Sequence, residues 1–446
     1  MSKITHVVKR NGAIVDFNPD RIVNAIYRAA VSVGGRDKDT AKKLAEKVIA
    51  ILEANCPPNC RPHIEEIQDV VEKALIENGH AKVAKEYILY RDEQNHRRVM
   101  NAQQGTRPSE NIPWSKIWHI LDWAASNELH TIEHLNKKIA DGKFNEVVEL
   151  SEKHYLHDLE NAAKKIAERS KDLKFVFISG PSSSGKTTTT IKIEEYLKKS
   201  DLSFVPLNVD HYFFDLDMHP KDEFGDYDFE TPQALDLQLI NEHLIELGKG
   251  NEVLIPYYDF KLGKRALNHT PLKLAEGQIL LIDSLHGLYP AFSEGISDDV
   301  KFKLYLEPLL QMKAPDNSYV QWTDIRLIRR MLRDSVHRAY NPQQTLEHWH
   351  YVRASELRNI IPYSHNADHL ISSGMPYEIA LYSHRILAKF EEWEKIYADN
   401  PLREDAYRRA SRVKNILASV TPVEDDSAVP INSVLREFIG GSIYKY

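Results

Sequence analysis

Cysteine is nearly absent from this chain: Cys56 and Cys60 are the two in 446 residues. Two thiols build no disulfide framework, and their scarcity suits a reducing compartment, so a cytoplasmic protein is expected. With His63 close by they form a metal-like spacing. A structural zinc needs four ligands, however, and no second Cys/His cluster follows. Pro57, Pro58 and Asn59 between the cysteines favour an ordinary loop. Also lacking is any apolar run near the ~18 residues of a membrane span. Met1-Ser2-Lys3-Ile4-Thr5-His6 leads into polar sequence with no apolar signal core. There is no surplus of positive charge either. The formal charge of −7 gives no electrostatic reason for nucleic-acid binding. Internal repeats and low-complexity tracts are missing. What remains is a chain with 42% apolar residues, long enough for two or three packed domains.

Within that chain one stretch stands out. Gly180-Pro181-Ser182-Ser183-Ser184-Gly185-Lys186-Thr187 has the spacing G-x-x-x-x-G-K-T. Glycines let the backbone curl so that N–H groups point at phosphate oxygens. Lys186 brings a cation to the β/γ-phosphates, and the Thr187 hydroxyl can ligate Mg²⁺. The context fits: Phe175–Ser179 reads as a buried strand, and Ile193, Tyr196 and Leu197 recur at helical spacing after the loop. Strand, loop and helix together aim a helix N-terminus at an anion. The expected ATP-binding set is Gly180, Ser182, Ser183, Ser184, Gly185, Lys186, Thr187 and Thr188.

The residues upstream read differently. Val7–Val15 gives two short strands around Asn11-Gly12, a hairpin signal. Asn18 caps a helix with Pro19 in its first turn. Further helical patterns run through Ala41–Leu52, Ile64–Leu75 and Ala81–Tyr90. Residues 99–112 are polar and read as a linker. Residues 113–170 contain helical stretches to which no chemistry attaches, with His154 and His157 read as solvated. From Phe175 to about Ser373 strands and helices alternate, predicting an α/β fold with a parallel sheet flanked by helices.

Downstream residues separate a kinase from a hydrolase. Phe204–Val209 reads as a strand ending in Asp210-His211-Tyr212-Phe213. Strand C-termini line the ligand crevice of open α/β sheets. A carboxylate there can take a proton from an attacking hydroxyl. Asp226–Pro232 follows, rich in acceptors and aromatics, and Pro256–Phe260 offers flat aromatic surface. Ile279–Asp283 is an apolar strand ending in an acid, suited to hold Mg²⁺ with Thr187. Five arginines, Arg326, Arg329, Arg330, Arg333 and Arg338, cluster at Thr323–Ala339. Arg326, Arg330 and Arg333 share a helical face. Stacked like charges cost helix stability unless an anion arrives, which points to a phosphate-clamping lid.

Two resemblances rest on these residues. V-x-K-R-N-G, Phe17, Arg21-Ile22 and Tyr87–Arg91 resemble the ATP-cone, a regulatory nucleotide-binding module at the head of ribonucleotide reductases. That implies phosphate contacts from Lys9, Arg10 and Arg21, the last standing where the family usually has Lys. The motifs G-P-S-S-S-G-K-T, V-D-H-Y-F, D-Y-D-F-E-T-P, P-Y-Y-D-F, L-L-I-D, R-L-I-R-R-M-L-R-D and Asn366-Ala367-Asp368, in that order, resemble the uridine kinase/phosphoribulokinase group of P-loop kinases. Lys264-Arg265, the His286-Gly287-Leu288 turn and the tail L-R-E-F-I-G-G-S bring the longer bacterial uridine kinase-like type closer.

The resemblance implies a P-loop NTPase-type sheet preceded by a small α+β ATP-cone and a helical connector. The expected domains are 1–98 (ATP-cone), 99–170 (linker and connector), 171–400 (kinase) and 401–446 (a tail packing on the kinase). Asp210 would be the base toward a 5′-hydroxyl, with Lys186, Arg330 and Arg333 catalytic. Asp210, Tyr212, Glu230, Tyr258 and Arg333 would meet the acceptor, and Arg338 would bind ATP. Thr187 and Asp283 would hold Mg²⁺. ATP would be the donor, a nucleoside of uridine or cytidine type the acceptor, and a second nucleotide would sit on the ATP-cone; the alternatives are a different sugar or alcohol acceptor, or a nucleotide-binding regulator with little turnover. A homo-oligomer is expected. Three positions depart from the group: Gly263 replaces a base-reading His, Asp283-Ser284 replaces Glu-Gly, and Tyr340 replaces a lid Arg.

Overall fold

The computed structural model describes residues 4–8, 14–35, 37–55, 60–89, 112–200, 202–219, 227, 229–337, 341–400 and 403–445. The chain divides into two compact units. Residues 1–107 and 223–226 make the first, and residues 108–222 and 227–446 the second.

In the first unit, β1 (His6–Val8) pairs antiparallel with β2 (Ile14–Asp16), His6 opposite Asp16. Helix α1 (Asp20–Ser32) begins where the Asn18 carbonyl oxygen of the side chain accepts from the Asp20 N–H at 2.9 Å. Helix α2 is Lys38–Asn55 and α3 is Ile64–Glu77, and α4 covers 81–89. A reciprocal cap starts α3: the His63 ring accepts from the Glu65 N–H, and the Glu66 carboxylate accepts from the His63 N–H at 3.0 Å. The three helices α1–α3 and the hairpin enclose one core that includes Val7, Ile26, Val48, Val71 and Leu75. Cys60 is disulfide-bonded, so the metal spacing noted at Cys60 and His63 offers no free thiolate there. Cys56 lies outside the described residues.

The second unit opens with α5 (Trp114–Ser126), α6 (Ile132–Ala140) and α7 (Phe144–Arg169). The sheet strands are β3 (Phe175–Ser179), β4 (Ser203–Asn208), β7 (Gln278–Ser284), β8 (Lys301–Glu307) and β9 (His369–Ser372). They lie in the order β4-β7-β3-β8-β9, and every neighbouring pair is parallel. Both faces are covered, which is why the central strands β3 and β7 are nearly continuous apolar runs, whereas the edge strand β4 alternates between buried and exposed positions. On one face Val176, Ile178, Ile279 and Leu281 join the large core with α7, α8 (Lys186–Lys198), α12 (Glu378–Tyr397) and α13 (Glu404–Ala418). On the other, Phe175, Phe177, Leu280 and Ile282 pack with α9 (Leu237–Gly248). Each such buried side chain contributes about 1.5–3 kcal/mol.

Three features depart from or add to the sequence reading. First, α5–α7 carry residues of the kinase-side core rather than a separate body: Tyr155, Leu159, Ala162 and Ile166 of α7 are fully buried there. His154 is not solvated, since its ring stacks on Trp123 with centroids 4.3 Å apart, whereas His157 is exposed. Second, β5 (Val253–Asp259) and β6 (Lys264–Leu272) form an antiparallel hairpin outside the main sheet. Third, the chain from Val429 to Phe438 returns to the core, with Val434, Leu435 and Phe438 fully buried.

Candidate active site

Parallel register brings three strand ends together. Ile178 of β3 and Asn208 of β4 both lie beside Asp283 of β7. The loop after β3, the turn after β4 and the acid closing β7 therefore converge at one edge of the sheet. This is the edge where a doubly wound fold binds ligands.

The loop after β3 is held from several directions. A side chain at Gly180 would put its Cβ 2.2 Å from the Leu306 carbonyl oxygen of β8. Gly185 has φ +90°, and a Cβ there would lie 2.5 Å from a methyl of Val434. Both glycines are demanded by space, and Gly185 by its left-handed backbone as well. Ser183 also takes a positive φ, 59°. The Ser183 and Ser184 hydroxyls are buried without a protein partner among the described residues. The Ser184 carbonyl accepts from the Ser373 hydroxyl. Lys186 opens α8, and its ammonium reaches the Pro181 carbonyl at 3.4 Å. Burial lowers its pKa, opposed by the negative charges of Asp283 and then Glu437. The Thr187 side chain is exposed at the start of α8.

Asp283 is the electrostatic counterpart of Lys186. Burial pushes its carboxyl up to about 6, and Glu437 and Asp210 push the same way while Lys186 opposes them. Asp210 is exposed on a one-turn helix, Val209–Tyr212, whose start is capped by the Asn208 side chain at 3.0 Å. Two carboxylates and a hydroxyl, with no thiolate or imidazole among them, are the donors a hard divalent cation takes. These residues fit Mg²⁺ chemically, though no three His, Cys, Asp or Glu among the described residues make a cation cage alone. Phosphate oxygens or water would have to complete the shell.

Helix α10 (Trp322–His337) crosses above the loop and divides its arginines. Arg330 pairs with Glu230 at 2.6 Å and reaches the Ser182 hydroxyl at 3.4 Å. Arg333 lies 3.4 Å from Asp334 and 4.0 Å from Glu437. Arg326 and Arg329 are fully buried. Arg326 is paired with Glu356 of α11 (Pro342–Asn359) and donates to the Ser182 carbonyl at 3.1 Å. Arg329 is paired with Glu378 at 2.8 Å. Of the expected face of Arg326, Arg330 and Arg333, Arg330 and Arg333 stay at the loop edge, while Arg326, with Arg329 beside it, is tied to buried carboxylates. Arg338 and Tyr340 lie outside the described residues.

The expected acceptor-side residues do not all meet at this edge. Glu230 does, through Arg330. Tyr212 is fully buried, and its hydroxyl pairs with His243 of α9 at 2.9 Å. It is packed beneath the site, not in it. Tyr258 is 2% exposed and sits in an aromatic cluster with Phe213 and Phe260, their centroids 5.7 and 5.0 Å from its own. Gly263 has φ +62°, and a Cβ there would meet Leu216 at 2.8 Å, so no larger side chain fits. In the first unit Arg21 is exposed on α1, while Lys9 and Arg10 lie outside the described residues.

Two groups at the site escaped sequence reasoning. Glu437 reaches Thr188 from 249 residues away. His286, 2% exposed, sits where burial and then the charge of Lys186 hold its ring down to about 3. Both belong to stretches that the resemblance marked, but neither carried a role.

Comparison with known proteins bears on this geometry. The phosphoribulokinase / uridine kinase family model matches residues 175–380, and the ATP cone domain model matches residues 5–96. A uridine kinase of Borreliella burgdorferi is 30% identical over 215 residues, covering 47% of this chain and 91% of its own. One from Deinococcus deserti is 27% identical over 205 residues, covering 46% and 89%. The vitamin B12-dependent ribonucleoside-diphosphate reductase of Thermoplasma acidophilum is 44% identical over 94 residues, which are 20% of this chain and 12% of that one. Among solved structures, a "Possible Uridine Kinase" from Bacillus stearothermophilus aligns with a TM-score of 0.29 at 13% identity, covering 48% of this chain and 99% of that one. No helix among the described residues is long and apolar enough to cross a membrane.

Proposed function

We propose that this chain, which belongs to the phosphoribulokinase / uridine kinase family and is a phosphotransferase acting on an alcohol group, moves the γ-phosphoryl group of ATP to the 5′-hydroxyl of a nucleoside of uridine or cytidine type. The observation that carries the reading is the convergence of Lys186, Asp283 and Asp210 at the ends of β3, β7 and β4. The loop amides and Lys186 bind the phosphates. Thr187 and Asp283 would hold Mg²⁺, which when bound screens phosphate charge. Asp210 accepts the proton of the attacking hydroxyl as its oxygen bonds to the γ-phosphorus, and the bond to the β–γ bridging oxygen breaks to release ADP. Arg330 and Arg333 meet the charge spread over the transferring group. Glu230, held by Arg330, is placed to orient sugar hydroxyls. Gly263 leaves no side chain to read a base at its position, and the aromatic loop around Tyr258 offers flat surface for one.

The first unit would bind a second nucleotide through Lys9, Arg10 and Arg21, and report nucleotide supply to the kinase. Such control requires the nucleotide to favour one state of the protein over another. A cytoplasmic location suits both substrates.

The test is ATP-dependent phosphorylation across nucleosides and free sugars with Mg²⁺, for wild type and Asp210→Ala. One nucleoside should be phosphorylated. The variant should lose about 10²–10⁴-fold in turnover while its ATP affinity holds within a few-fold. A free sugar as the sole acceptor, or undiminished turnover in the variant, would overturn the reading.

A further inference from the structure

A carboxylate from the far end of the second unit stands at the phosphate loop. Glu437, 4% exposed, accepts from the Thr188 N–H at 3.3 Å and from the Thr188 hydroxyl at 2.8 Å. Thr188 belongs to the first turn of α8, whose backbone N–H groups have no partner within the helix. Those are the donors that a P-loop turns toward phosphate. The side chain at this spot carries the same sign of charge as the phosphates themselves. Lys186 and Asp283 both feel it, and Arg333 lies 4.0 Å from its other oxygen.

Glu437 is not free to swing aside. The residues before and after it are locked: Val434 fills the space at Gly185, and Leu435 and Phe438 are fully buried. The Arg329 guanidinium lies over the Phe438 ring at 4.9 Å. Arg436 donates to the Asp426 and Val429 carbonyls at 2.8 Å each. The charge at α8 is therefore fixed in place. A bare polyphosphate meets it at short range in a partly desolvated site, where repulsion is several times stronger than in water. A polyphosphate that arrives with a divalent cation does not meet it uncompensated.

We propose that Glu437 is a positioning residue that couples nucleotide binding to its cation, making the site accept metal–nucleotide and refuse free nucleotide. This rests on the P-loop being the nucleotide site, as read above.

The experiment measures equilibrium affinity for ATP, with EDTA and with saturating Mg²⁺, for wild type and Glu437→Gln. Glutamine keeps the shape and an acceptor oxygen for Thr188 while removing the charge. Wild type should prefer the magnesium complex strongly. In E437Q, metal-free ATP should bind at least about tenfold tighter than in wild type, with the magnesium complex changed by less than about threefold, so that the ratio collapses. An unchanged ratio overturns the coupling while leaving the P-loop reading intact. A wild type that binds no magnesium–ATP overturns the P-loop reading itself and this proposal with it. Should E437Q fail to fold, Glu437→Asp is compared instead: a charge drawn back by one methylene should narrow the wild-type ratio at least about threefold, and an unchanged ratio overturns the coupling.

Discussion

At the scale of single residues, the site divides into groups that do chemistry and groups whose burial sets the terms. His286 belongs to the second kind. Burial followed by the charge of Lys186 holds the ring down to about 3, against weaker opposition from hydrogen bonds with the Glu230 and Asn359 backbones. The folded state thus keeps it neutral where the unfolded chain, with an ordinary value of 6.5, takes up a proton. Its contribution to stability is whole above pH 6.5 and is lost as pH falls toward 3. His286→Leu should flatten the fall in melting temperature between pH 7 and pH 4, removing a penalty of up to about 3 kcal/mol. An unaltered slope by calorimetry would show that other groups govern acid unfolding. Lys186, Thr187, Asp210 and Asp283 were legible because each lies within a few residues of an apolar strand. Tyr212 and Glu437 were not, because period and spacing say nothing about which side chain turns under a sheet or arrives from 249 residues away.

At the scale of elements, α10 is the instructive case. Its period was readable, and its five arginines were read as a cluster awaiting an anion, with Arg326, Arg330 and Arg333 on one face. The structure spends two of them on buried carboxylates instead. Arg329 and Glu378 are both fully buried and pair at 2.8 Å, with the Tyr382 hydroxyl donating to Glu378 at 2.7 Å. Such a pair is worth little net, but breaking it leaves an unpaired buried charge. Arg329→Ala should lower unfolding stability by about 3–5 kcal/mol in urea titration. Adding Glu378→Gln should recover part of that loss, and a double variant no better than the single would refute the pairing argument. No sequence pattern marks Glu356 or Glu378 as the partners, since each is brought in by a different helix. The β5–β6 hairpin was similarly hidden, because β6 is polar, exposed over nearly its whole length and without an apolar period.

At the scale of the whole molecule, the sequence divides where its resemblances divide. One match runs over residues 5–96 and the other over residues 175–380, so both cores were announced by motif before any coordinates. The stretch between them carried no motif, and only packing assigns α7 to the kinase-side core. Regulation belongs to this scale too. Lys9→Ala with Arg10→Ala should abolish any activation or inhibition by a second nucleotide while leaving basal turnover intact. The measurement is the initial rate against ATP and dATP at fixed acceptor. A retained effect in the double variant would remove those two residues from the regulatory site.

The wedge at Gly185 has a consequence for how the protein is made. A ribosome completes the phosphate loop, its lysine and its acids long before it reaches Val434 and Glu437. With 249 residues between Thr188 and Glu437, and synthesis at about 5–20 residues per second, roughly 10–50 s pass in which the nascent loop lacks its last wall. Over that interval the growing chain has neither the support for Gly185 nor the charge that Glu437 sets against bare phosphate. Discrimination against bare nucleotide, as inferred above, is thereby in place only once Glu437 has been added and packed against Thr188.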